Sequence, residues 1–252
     1  MKDKIEINSD AIRLRKQLGE DSFSPIDIFS MLGSADDLTV VFYPMSDRIS
    51  GACIRNDNNK LIAINSSLTY GRQRFTAAHE LCHLFFHEDF KHVICAKDID
   101  NTKDPQEKEA DMFASYFLAP YEALTDFIKA KLGKQKGNLD ISDVVKIEQH
   151  YGLSRQATLW RLVNDGYLSS DDARAMKTGI ILSAMKLGFD AKLYSPTPEE
   201  KQYNTLGQYI KIAEELKEKS LVSNGKYEEL LLDAFRSDIV FGSNSEGEEQ
   251  YD

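Results

Sequence analysis

The sequence predicts an α+β protein: a mainly helical chain with a small antiparallel sheet, followed by additional helices. Three observations carry this. Between Leu38 and Asn65 the apolar residues gather in short β-branched and aromatic runs. On either side they recur every three to four residues, the spacing of amphipathic helices. The helix that follows the strands directly carries His79-Glu80-Leu81-Cys82-His83.

In chain order, residues 8–18 predict a first helix with Ile12, Leu14 and Leu18 inward and Gly19 at its end. A second runs from Pro25 to Leu32, with Ser24 as its cap and Gly33 closing it. Leu38–Tyr43, Gly51–Arg55 and Lys60–Asn65 are strands, the last two joined by the hairpin loop Asn56-Asp57-Asn58-Asn59. The motif helix covers Arg74–His87. Residues 88–104 are polar and irregular, a loop. Asp104-Pro105-Gln106-Glu107 then starts a helix that Pro120 stops, with Asp as cap, Pro at the first position and Glu at the third. Helices at 140–151 and 155–163 follow, joined by Gly152-Leu153-Ser154; another covers 171–189. Ser195-Pro196-Thr197-Pro198 is a turn or linker. Tyr203–Lys219 and Lys226–Phe235 are helices, and the acidic tail from Gly242 has too little to bury to order itself. The expected division is a first domain over 1–135 that holds the motif helix, a helix-turn-helix-like helical region over 136–195, C-terminal helices over 196–241 and a disordered tail over 242–252.

With 252 residues the chain is long enough to bury a substantial core, and a net charge of −10 argues against a surface built for nucleic acid or membrane. Its three cysteines are an odd number with no paired spacing, so a disulfide framework is not expected. Cys82 falls on the apolar face of the motif helix. Cys95 is a possible metal ligand, but the core reading is favoured for it too. Met1–Glu6 lacks the apolar core of a signal peptide, and no apolar run approaches the roughly 20 residues that cross a bilayer. A reducing cytoplasm is the expected location.

At about 100° per residue, Phe75, Ala78, Leu81, Cys82, Phe85 and Phe86 share one face of the motif helix. His79, Glu80, His83 and His87 lie along the adjoining edge. Two imidazoles one turn apart can converge on one ion, and the Glu after the first stands beside it without ligating. This is the H-E-x-x-H arrangement, in which a metal acts on water and the Glu takes the proton. The bland alternative is a pair of half-buried polar residues.

A catalytic zinc needs a third protein ligand. Glu107, Glu109 and Asp111 are the candidates. Glu107 lies about 20° from both Ala114 and Leu118 on the helical wheel, at the edge of the apolar face, and can look inward. Glu109 points toward solvent. Asp111, one turn beyond Glu107, suits a carboxylate that accepts the free N–H of a ligating His. Glu107 has a competing role as the third residue of a capping box. His87 is displaced along the axis by about 6 Å per turn and is read as flanking.

The runs Arg72-Gln73-Arg74-Phe75-Thr76-Ala77-Ala78-His79-Glu80-Leu81-Cys82-His83 and Glu107-Lys108-Glu109-Ala110-Asp111-Met112-Phe113-Ala114, ahead of Pro120, resemble the ImmA/IrrE family of HExxH metallopeptidases. Ile62-Ala63-Ile64-Asn65 looks like that family's strand before the helix. The likeness is specific over residues 50–120, plausible from 25 to 165, and weak beyond. It implies a zincin-like domain with Zn2+ held by His79, His83 and Glu107, and with Glu80 as general base. Cys82 stands where Gly is common and Asp111 where Asn is frequent; neither departure removes a ligand. The resemblance also implies a protein substrate, a helix-turn-helix transcriptional repressor cut during stress or mobile-element induction.

The helix–Gly–helix unit at 140–163 is open to two readings. One is DNA contact through Arg155, Gln156 and Arg161. The other, favoured by the acidic chain, is a packed helical pair with Leu153, Leu159, Trp160 and Leu162 as core. For the whole chain the first functional hypothesis is a zinc endopeptidase. The second is a non-catalytic regulator of the same fold that docks to a repressor, a toxin partner or DNA. A small-molecule metallohydrolase is third.

Overall fold

The computed structural model describes residues 2–56, 59–87, 92–96 and 104–242. Helix α1 spans Lys4–Gln17, four residues earlier than periodicity suggests, because Asp3 and Glu6 form a capping box ahead of the apolar stripe. Its end is marked by Gly19 at φ +84°. Helix α2, Ile28–Ser34, is capped by Asp27 and not by Ser24. Ser24 is held elsewhere: its N–H donates to Asp21 Oδ1 at 2.6 Å, and its carbonyl accepts from the buried Arg15 guanidinium.

Strands β1 (Leu38–Tyr43), β2 (Ile49–Arg55) and β3 (Lys60–Asn65) form as their alternation predicts. The sheet they belong to is larger and mixed. With β4 (His92–Ala96) and β5 (Asn204–Gly207) its order is β4-β2-β3-β1-β5, with β1 parallel to β3 and the other pairs antiparallel. Strand β4, His92–Ala96, lies inside the stretch expected to be loop. The remainder of that loop (88–91 and 97–103) and the hairpin tip Asp57-Asn58 lie outside the described residues. Leu38, Val40 and Phe42 of β1, Cys53 of β2, and Ile62 and Ile64 of β3 are buried on one face of the sheet.

Helix α3, Tyr70–Phe86, crosses that face, and every residue from Gly71 to Leu84 is buried. The expected one-sided amphipathic helix is instead a central one. The sheet covers one side and helix α4, Pro105–Leu118, the other, so its polar residues are enclosed with its apolar ones. Phe85, assigned to the apolar face, is exposed beneath the ammonium of Lys60. Asp104 caps α4 through the Gln106 N–H at 2.9 Å. Helix α5, Tyr121–Asp126, runs on into a π turn ending at Lys131.

Helices α6 (Ile141–Tyr151) and α7 (Arg155–Asn164) form the helix–turn–helix pair, with Gly152 at φ +66° between them. A side chain there would press on the Arg74 guanidinium, which donates to the carbonyls of Gly152 (3.1 Å) and Ile26 (2.7 Å) and ties the pair to α3. The packed reading of this unit is the one observed. Arg155 is buried against Glu148, and Arg161 is buried against Asp165 and over the Tyr116 ring, so neither is presented to a partner.

Beyond residue 164 the structure departs further from expectation. The helix expected at 171–189 is two short ones, α8 (Ser170–Ala175) and α9 (Ile180–Met185), separated at Gly179 with φ +65°. Ser195–Pro198 is not a free linker. The Tyr70 N–H donates to Ser195 O at 2.8 Å, and Gln73 Nε2 donates to Thr197 Oγ1 at 3.0 Å, strapping this segment to the start of α3. The helix expected from Tyr203 begins later, because Asn204–Gly207 is strand β5, paired with β1 at the sheet edge. Helices α10 (Gln208–Glu218), α11 (Asn224–Asp233) and α12 (Ser237–Phe241) follow. The expected disordered tail falls almost wholly outside the described residues. Among the described residues no helix is long and apolar enough to cross a membrane.

Candidate metal centre

The i, i+4 spacing on α3 stacks His79 and His83 with their Nε2 atoms 3.2 Å apart. Across from them, α4 offers Glu107. One of its carboxylate oxygens is 3.3 Å from His79 Nε2 and the other is 3.2 Å from His83 Nε2. Its carboxylate is therefore turned toward the imidazoles rather than spent on its own helix end. The ring of His79 is oriented from behind by Asp111, whose Oδ1 lies 3.0 Å from His79 Nδ1. His83 is backed by His87, Nδ1 to Nδ1 at 2.8 Å, so His87 meets the far side of the His83 ring. The flanking position expected of His87 is the one observed.

Glu109 departs from expectation. It is 9% exposed, accepts from the Lys2 N–H at 3.0 Å, and lies 3.7 Å from His87 Nε2. A helical wheel shows the residue turned from its own helix's apolar face; it cannot show that the start of α1 covers that side.

Glu80 is fully enclosed at 0% exposure, and neither carboxylate oxygen makes a hydrogen bond among the described residues. It packs where β2 passes α3. A Cβ at Gly51 would stand 2.5 Å from Thr76 Cγ2, 2.7 Å from Ala63 O and 3.2 Å from Glu80 Oε1, so the glycine is what lets the strand lie this close. Burial pushes the Glu80 carboxyl above its ordinary pKa, against the pull of His79 and His83. Burial also opposes the charge of Glu107, but hydrogen bonds from the two histidines outweigh it and hold that carboxyl well below the usual range. For His79 burial again opposes charge, and the bonds to Asp111 and Glu107 prevail, raising its pKa to about 10. His87, by contrast, is pushed down to about 4 by burial and by His83.

Sequence reasoning raised Cys95 as a ligand but favoured a core role; the residue is buried as that reading expects, and it also lies among the donors. Its thiol is buried 3.9 Å from Glu107 Oε1. One donor atom each from His79, His83, Cys95 and Glu107 lies within 4.8 Å of all the others, and such a group can hold a metal ion. Within Val93-Ile94-Cys95 the β-branched pair was the available signal, too short to separate a strand from a loop.

The donors fit a divalent cation on two grounds. A tetrahedral site with bonds of about 2.0–2.1 Å has ligand–ligand edges of about 3.3–3.4 Å, and the His79–His83 distance and that from His83 to Glu107 Oε1, both 3.2 Å, lie close to that. Beside them sits the buried Glu80 carboxylate with only the weak thiol donors of Cys53 and Cys95 next to it, an arrangement costly without a charge or water to face. The two histidines lie on consecutive turns of the central helix, and the other donors come from α4 and β4. The family model for the IrrE N-terminal-like domain, Peptidase M78, matches residues 37–163, half of the chain, and the protein belongs to that family. The match begins at β1 and ends in α7, leaving out α1, α2 and everything after residue 163. No curated protein sequence matches the chain.

Proposed function

We propose that the protein is a zinc-dependent endopeptidase in which His79, His83 and Glu107 hold the metal and Glu80 is the general base. The observation that carries this is the convergence of both His Nε2 atoms on the two oxygens of Glu107, at 3.3 and 3.2 Å, next to the unsatisfied Glu80 carboxylate. When bound, zinc supplies Lewis-acid chemistry, polarising water and the scissile carbonyl. The chain's own residues do the rest. Asp111 holds the Nδ1–H of His79, so that Nε2 faces Glu107. Glu80 accepts the proton of the attacking water on a carboxylate oxygen and returns it to the leaving amine. Its dry surroundings favour the uptake step, since burial raises its affinity for the proton.

The substrate class is a helix-turn-helix transcriptional repressor, met in the cytoplasm during stress or mobile-element induction. The family resemblance around the two motif helices supports it. Glu80→Gln keeps the shape of the site and removes the base. Zinc content should stay at the wild-type level while cleavage of a co-expressed repressor, followed by mass spectrometry, falls by roughly 10²–10⁴-fold. Undiminished cleavage by the variant would end the proposal.

The second reading, a regulator that acts by docking, has one observation in its favour. Leu182 and Met185 of α9 are each 59% exposed, with Ile181 beside them, outside the segment matched by the family. It is separated by the same variant: Glu80→Gln is silent in a docking protein, whereas substitutions on α9 are not.

A further inference from the structure

We infer that Cys95 is a fourth protein ligand, so that the resting metal site is closed by His79, His83, Glu107 and a thiolate. The inference rests on the proposed metal site and adds a residue to it.

It begins with strand register. In the pairing of β4 with β2, Cys95 lies opposite Gly51, and Gly51 lies opposite Ile64 of β3. Directly paired residues share a face. Cys95 therefore projects on the face that α3 covers, next to Gly51, a strand position without a side chain. Cys95 is 1% exposed. With a Zn–S bond of about 2.3 Å, the sulfur–oxygen edge of a tetrahedron is about 3.6 Å, longer than an edge between lighter donors. The cluster follows that order, with 3.9 Å from Cys95 Sγ to Glu107 and 3.2–3.3 Å among the others. A second observation points to the same spot: Glu80, 0% exposed, stands beside the thiols of Cys53 and Cys95, so the Cys95 sulfur and the Glu80 carboxylate share one enclosed corner of the site.

The chemistry balances without an oxidant. The Cys95 S–H bond breaks heterolytically, the proton leaves to buffer, and the sulfur lone pair enters the metal's coordination shell. Catalytic zinc sites keep one position free of protein, whereas sites with four protein ligands are closed. The closed state is therefore a resting one. Hydrolysis requires the Cys95 sulfur to leave the metal and give its position to water.

Cobalt(II) in place of zinc gives a direct optical test, because a thiolate on cobalt adds a near-ultraviolet charge-transfer band that nitrogen and oxygen donors do not. The full-length protein loaded with one equivalent of cobalt should show the band. Cys53→Ala should keep it. Cys95→Ala and Cys95→Ser should lose it while retaining bound cobalt, the serine variant serving if the alanine one does not fold by circular dichroism. Cobalt bound by the wild type without the band overturns the Cys95 inference and leaves the peptidase proposal standing. No cobalt uptake overturns the metal site itself. A band that survives in Cys95→Ser assigns the thiolate to another cysteine and also overturns the inference.

Discussion

Asp111 is separated from His79 by 32 positions in the chain and by 3.0 Å in space, and its contribution is orientation. Removing the acceptor leaves the imidazole free to turn and to choose its tautomer. Asp111→Ala should therefore weaken zinc binding by roughly 10–100-fold in competition with a chromophoric chelator. Asp111→Asn keeps an acceptor oxygen and should retain most of the affinity. An alanine variant as tight as wild type would remove Asp111 from the site. The same residues set a pH dependence. With its pKa raised to about 10, His79 in the metal-free protein holds a proton throughout the neutral range, and an incoming cation must displace it. Zinc affinity should rise with pH from 6 to 9, by about tenfold per pH unit for one proton. A flat profile would mean that His79 is not among the groups displaced.

At the level of elements, the close crossing of β2 and α3 brings Glu80 and the sheet face together. Gly51→Ala puts a methyl group against the carbonyl of Ala63, which is held in the sheet and cannot swing aside. The expected cost is about 1–3 kcal/mol in urea unfolding, with zinc affinity reduced as α3 is pushed off the sheet. Unchanged stability would show that the strand has room to relax. The helix–turn–helix pair illustrates the opposite outcome. Its sequence allows a basic recognition surface, yet Arg155 and Arg161 are spent inside the molecule, on Glu148, Asp165 and Ser115. Arginines with buried acidic partners hold helices together; they are not available to phosphates.

For the molecule as a whole, the segment after residue 195 is built into the fold. Thr197 is bonded to Gln73 at the head of α3, and β5 covers the outer edge of β1. A chain ending at residue 195 would leave β1 as an unpaired edge rich in apolar residues. Its thermal midpoint should fall by several degrees, since each kcal/mol lost corresponds to about 2–4 °C in a domain of this size. It should also aggregate with concentration. Identical melting of the two chains would make residues 196–242 a separate appendage.

Local periodicity made much of the centre legible before any coordinates. His79 and His83 share a helix edge because 3.6 residues per turn places them there, and the same geometry puts Glu107 on the inward edge of its own helix. The strands β1, β2 and β3 were readable for the same reason, as alternation is a property of neighbours in the chain. What escaped were features created by pairing between distant segments. Neither β4 nor β5 carries a long enough pattern to declare itself, and a slip of one residue in register would have turned Cys95 to the opposite face of the sheet. Burial of Glu109 under α1, of Arg155 against Glu148, and of both sides of α3 likewise depends on which element comes to lie on which. Short-range order is written into the spacing of side chains; enclosure is a collective result of packing, and it is enclosure that sets the acidity of Glu80 and gathers the donors around one point.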